Sequence, residues 1–170
     1  TMSEGISQFA QSLLSMDIGG MISGVVNTVG GAIFHDGNLL PGDAFRCGEA
    51  GHMTLIPDGK PCYCGKTGCV DAYCSARLLS DLSGGRLEDF FLGLQQNNPD
   101  YRSVWDTYLK HLAVVINNLH MILDYDIVLG GYVGSFLSPW LDTIRRLVAE
   151  HNTFEDDGSF VKLCTYQTGA

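Results

Sequence analysis

Apolar residues recur every three or four positions in several stretches of the chain, the spacing that gathers them on one side of an α-helix. The longest stretch runs from about Asp100 to Leu123, where Tyr101, Val104, Trp105, Tyr108, Leu112, Val115, Ile116, Leu119 and Leu123 form one stripe, interrupted by Asn117 and Asn118. A stripe so rich in aromatics reads as core rather than as a ligand box. Leu87, Phe90, Phe91 and Leu94 predict a second helix over Leu87 to Gln95, and a third is predicted from Val70 to about Ser80. At the start of the chain, Ile6, Phe9, Ala10, Leu13 and Leu14 follow a capping Ser3, predicting a helix to about Met16 that Gly19 and Gly20 stop.

Short apolar runs between these segments read as strands. Met21 to Val26 and Gly31 to His35 predict a pair joined at Asn27-Thr28-Val29-Gly30, with a tight turn at Asp36-Gly37-Asn38. Met53 to Ile56 predicts a short strand before the turn Pro57-Asp58-Gly59. Asp126 to Leu129 is of the buried-strand type and ends at Gly130-Gly131, ahead of a helix from near Phe136 to about Glu150. Strand, glycine pair, helix is the layout in which a ligand approaches the carboxyl end of a sheet strand, although close strand-to-helix packing needs the same glycines. An acidic turn, Glu155-Asp156-Asp157-Gly158, precedes a last strand from Phe160 to Thr165. The alternation predicts an α/β fold and, with no internal repeat or linker, one domain over residues 1–170.

Composition narrows the class. Of the 170 residues 45% are hydrophobic, enough for a packed core, so disorder is excluded. A formal net charge of −9 with no run of basic residues would repel a phosphate backbone. Six unclustered or metal-like cysteines, with Cys47, Cys74 and Cys164 as scattered thiols, fit a reducing cytoplasm. No charged leader precedes a long apolar core, and no run approaches ~18 apolar residues, so neither a signal peptide nor a membrane span is expected.

The chemistry concentrates in residues 48–75. Cys62, Cys64 and Cys69 fall within eight residues, separated by Gly65 and Gly68, and His52 lies ten residues ahead. A structural zinc ion takes four tetrahedral ligands, and a short loop supplies three thiolates only if its backbone turns tightly between them, as glycine allows. Cys62 and Cys64 are too close in sequence for an unstrained disulfide, and pairing Cys64 with Cys69 leaves an odd thiol in the same loop. His52 is either an ordinary histidine or the fourth ligand; the Glu49-x-x-His52 context favours a ligand whose second ring nitrogen faces a polar group.

The run GEAGHM, then PDG, then CYCGKTGC, an acidic residue and AYCS resembles the sugar-recognition and zinc signature of the ROK family, which joins bacterial sugar kinases and sugar-responsive transcriptional repressors. The resemblance covers nearly the whole chain. It implies the C-terminal half of an RNase H-like, actin-type fold, a zinc ion on His52, Cys62, Cys64 and Cys69, and sugar hydroxyls held by Glu49, His52 and Asp71. The family usually carries glutamate at the last position. It further implies nucleotide contacts at Gly30, Gly31, Gly130 and Gly131, but Asn27 and Val29 stand where its phosphate loop commonly has glycine. The altered loop makes the sensing, dimerising part of a transcriptional regulator the leading expectation, with DNA contacted only through a region absent from this chain. The C-terminal half of an ATP- and Mg-dependent kinase for a hexose or N-acetylhexosamine is the alternative. By resemblance the partners are a small-molecule sugar and a second copy of the chain. The kinase lobe with the catalytic base has no counterpart here, so this chain alone is expected to be inactive.

Overall fold

A computed structural model of the chain describes residues 27–165. The expected helix from Ser3 and strand over Met21 to Val26 lie outside the described residues. The first described element is a hairpin, β1 (Phe34–His35) antiparallel to β2 (Asn38–Leu39), with Phe34 opposite Leu39 and His35 opposite Asn38. Its two-residue loop, Asp36 and Gly37, has φ of 50° and 77°, the left-handed pair that matches the twist of a tight hairpin. The strand expected over Gly31 to His35 is thus shorter than its pattern, and the one expected over Met53 to Ile56 is reduced to a single bridge, Thr54 to Cys69.

The helix expected from Val70 is two helices, α1 (Asp71–Cys74) and α2 (Ala76–Ser80). Ser75 divides them: its backbone is extended and its side chain accepts a hydrogen bond from the Leu78 amide at 3.4 Å, so it caps the second helix rather than continuing the first. α3 (Leu87–Gln95) has the bounds its pattern predicts. Asn98 then accepts from the Asp100 and Tyr101 amides, Pro99 occupies the first helical position, and α4 (Pro99–Leu123) runs for 25 residues. It stops where Asp124 turns left-handed at φ 53°.

The core is built on α4. Trp105, Ala113 and Ile116 are buried there, with Leu79 from α2 and Phe90 from α3. Trp105 meets Phe91 edge to face and lies flat on Tyr108, while Phe91 stacks on Phe136 at 4.3 Å. The stripe expected to be core is core. Asn117, an apparent interruption, is buried and donates to the His151 carbonyl at 3.3 Å.

Beyond α4, β3 (Ile127–Leu129) pairs in parallel with β4 (Val161–Leu163). A parallel pair needs a crossover, supplied here by α5 (Gly131–Gly134), a 3₁₀ turn at Ser138–Trp140 and α6 (Leu141–Ala149), whose Ile144 and Val148 are fully buried. The helix expected from Phe136 therefore begins later. Pro139 sits in the 3₁₀ turn, because its ring and missing N–H suit a first turn and not a helix interior. No helix among the described residues is long and apolar enough to cross a membrane.

One buried polar group ties α4 to the end of the chain. His120 places Nδ1 2.8 Å from the Tyr125 carbonyl and Nε2 3.1 Å from Glu155 Oε1, and stacks on Phe160 with centroids 3.5 Å apart. Burial disfavours its charged form, but the Tyr125 carbonyl and the Glu155 carboxylate, with Asp124 nearby, outweigh that and raise the pKa. Both ring nitrogens face acceptors, so the doubly protonated ring is the satisfied one. A raised folded pKa stabilises fully below the unfolded value of about 6.5 and fades as pH rises through the folded value. Denaturant midpoints of the wild type should therefore fall between pH 6 and pH 8 relative to Glu155→Gln; parallel profiles would show that the pair contributes nothing.

Candidate metal and sugar site

The site begins where two backbone segments lie against each other. A Cβ on Gly48 would sit 2.5 Å from the Gly31 carbonyl oxygen, and one on Gly51 would sit 2.1 Å from that of Val29. Glycine is required at both, and the 29–31 strand of backbone is laid directly on the turn that carries Glu49 and His52. That turn is a single 3₁₀ turn, Ala50–His52, in which the His52 amide donates to the Glu49 carbonyl at 3.1 Å.

Residues 53–70 then fold into a knuckle. The Leu55 amide donates to the Gly68 carbonyl at 2.7 Å, Val70 to Met53 at 2.9 Å, and Cys62 to Lys66 at 2.8 Å. Gly65 and Gly68 take φ of 84° and 78°, the tight turns that the spacing of the cysteines requires. As a result one ligand atom from each of His52, Cys62, Cys64 and Cys69 lies within 4.8 Å of the others. Cys64 and Cys69 are 3.7 Å apart, Sγ to Sγ, and all six cysteines are free thiols. A disulfide is about 2.05 Å long, whereas thiolates 2.3 Å from one tetrahedral ion stand roughly 3.8 Å apart. The donor set and its spacing fit a metal ion. Burial first, then the neighbouring sulfurs, pushes the Cys69 thiol up to about 11, while the Lys66 amide lowers that of Cys64. Crowded sulfurs of this kind are what a divalent cation relieves by replacing their protons.

The three residues expected to hold sugar differ in setting. Glu49 and His52 are exposed; Asp71 is buried in the first turn of α1. Asp71 Oδ1 accepts the Val29 amide at 2.6 Å, so the carboxylate both opens a helix and anchors the preceding loop. Tyr63 stands among them. Its hydroxyl is 3.1 Å from His52 Nε2, and its ring meets that imidazole edge-on at 5.3 Å. Burial raises the Tyr63 pKa most, followed by the charge of Asp71, with Cys62 and Glu49 adding to it. Tyr63 escaped the sequence reading, although its place between two metal-type cysteines was a visible signal.

Gly30 has open space where a side chain would go, and Gly31 has none. Gly130 and Gly131 lie at the carboxyl end of β3. Gly130 is extended and closely faces Cys164, while Gly131 needs glycine for its φ of 71°. The close approach at Gly130 is to the residue after β4, whereas the packing expected of that pair was against a helix.

An α/β chain with a parallel crossover unit and a His-Cys₃ metal-type loop is the class these features define. The ROK family model matches residues 11–168, and the chain belongs to the ROK family. It is 30% identical over 141 residues to the N-acetylmannosamine kinase of Salmonella typhi, covering 79% of this chain and 48% of that one. Among solved structures it is similar to a ROK hexokinase from Thermus thermophilus, with a TM-score of 0.65 at 24% identity over 81% of this chain and 48% of the other. It is also similar to a ROK family transcriptional regulator, a homologue of the E. coli MLC protein, with a TM-score of 0.67 at 23% identity over 81% and 39%. Those likenesses establish the fold. The chain spans about half the length of the curated relatives it matches.

The two loop glycines separate conformational from steric need. Gly65 has open space around it, so Gly65→Ala should cost about 1–2 kcal/mol from its positive φ alone. Gly68→Ala adds a clash, since its Cβ would lie 1.9 Å from the Ile56 carbonyl oxygen. Thermal melts should show a much larger loss for Gly68→Ala; equal losses would mean the knuckle is not packed as described.

Proposed function

We propose that residues 48–75 form a sugar-recognition site built on a structural zinc ion, and that the single domain is the C-terminal half of an actin-type ROK protein acting as the sensing, dimerising part of a cytoplasmic transcriptional regulator. His52, Cys62, Cys64 and Cys69 would hold the zinc, which locks the loop and leaves one imidazole nitrogen of His52 for ligand. Glu49, His52 and Asp71 would engage hydroxyls of a hexose or N-acetylhexosamine. DNA would be contacted through a region outside this chain.

The observation that carries the regulator reading is the 2.6 Å bond from the Val29 amide to Asp71. A phosphate loop keeps its amides free for the anion and its side chains out of the way. Here one amide is committed to a carboxylate, whose negative charge opposes a phosphate at the same spot. The second reading, half of an ATP- and Mg-dependent sugar kinase with nucleotide near Gly30, Gly31, Gly130 and Gly131, is favoured by the 30% identity to N-acetylmannosamine kinases.

Metal analysis of tag-free protein should find one zinc per chain, lost in Cys64→Ser together with several degrees of melting temperature. Wild type that is purified without zinc and that Cys64→Ser matches in melting temperature would remove the metal reading. With N-acetylmannosamine or glucose at about a hundred times its Kd, binding should add roughly 2.7 kcal/mol of stability. Glu49→Gln should abolish that gain and keep the zinc; an undiminished gain would move the pocket elsewhere. Tight ATP binding with phosphorylation of either sugar by the full-length protein would overturn the regulator in favour of the kinase.

A further inference from the structure

The proposed pocket contains a group that competes with its ligand. His52 Nε2 is already engaged by the Tyr63 hydroxyl at 3.1 Å, leaving Nδ1 as the nitrogen for the sulfur cluster. With Nδ1 on a metal, the single ring proton resides on Nε2, and one N–H serves one acceptor well. A sugar hydroxyl that accepts from Nε2 must therefore replace the Tyr63 oxygen.

Tyr63 is placed to give way. Cys62 and Cys64 on either side, with the Cys62 amide bonded to the Lys66 carbonyl, hold its backbone, so only the side chain need move. That side chain is 62% exposed and meets His52 through a ring edge, so rotation sacrifices little buried surface.

We propose that the Tyr63 hydroxyl is a built-in competitor for the sugar at His52 Nε2: it closes the pocket when no sugar is bound and swings out when a sugar hydroxyl takes its place. The proposal rests on the sugar-binding reading above. It sets affinity, because each binding event forfeits the phenol's bond.

The test is isothermal titration of the full-length zinc-loaded protein and its Tyr63→Phe variant with N-acetylmannosamine and with glucose. Loss of the competing bond should tighten Kd about three- to tenfold for the sugar that binds, with zinc content unchanged and the sugar-free melting temperature lower by a few degrees, because the bond is lost from that state. Equal or weaker binding by Tyr63→Phe, with the wild type binding normally, overturns the competitor and leaves the sugar site standing. No binding of either sugar by either protein overturns the sugar reading and this proposal with it. A crystal structure of the wild-type complex gives a readout independent of the variant: Tyr63 still bonded to His52 Nε2 beside bound sugar would overturn the proposal.

Discussion

At the junction of core and site, Tyr108 donates its hydroxyl to the Cys74 carbonyl at 2.7 Å, fully inside the protein. Burial drives this phenol well above its ordinary pKa, so it stays a neutral donor. The bond fixes the C-terminal end of α1 to the middle of α4, and α1 begins with Asp71. Removing the hydroxyl would strand a carbonyl in the core, a loss of the order of 1–3 kcal/mol. The position of the carboxylate that anchors the 27–31 loop is thus set by the aromatic packing around Trp105.

The metal-type knuckle is held from the other side. Its backbone is pinned by Gly68, whose carbonyl accepts from both Leu55 and Ile56, and by Tyr73, whose hydroxyl accepts the Lys60 amide at 2.7 Å. Tyr73 belongs to α1 and lies edge-on to His111 of α4. One short helix therefore braces both the loop that presents His52 and the loop that presents the sulfurs. A metal ion added to such a frame cross-links segments already close together, so its contribution falls on local order as well as on affinity.

The same economy explains the polar groups in the core. His120 and Asn117 lie one turn apart on α4 and reach Glu155 and the His151 carbonyl, tying the helix to the segment that leads into β4. Because β4 pairs with β3, the parallel unit at whose mouth Gly130 and Gly131 lie is anchored through the same helix as the cysteine loop. The likeness to both a hexokinase and a regulator is a likeness of fold, and one fold carries different functions through the sites placed on it.

Periodicity determined the long elements by itself. The stripe from Tyr101 to Leu123 and the cluster from Leu87 to Leu94 bury their apolar faces in any compact fold, so their helices were legible almost to the residue. The gathering of His52 with Cys62, Cys64 and Cys69 was equally legible, because thiolates and glycines at that spacing have few other uses. Tertiary structure alone decided what depends on partners distant in sequence. Ser75 divided a helix by capping, the strand expected over Met53 to Ile56 found only one bridge, and Asp71 was claimed by the Val29 amide forty-two residues earlier. Tyr63 gained its role from an imidazole eleven residues away. Local pattern specifies which face of a segment is apolar, whereas the partner of a polar atom is chosen by the fold that brings it within about 3 Å.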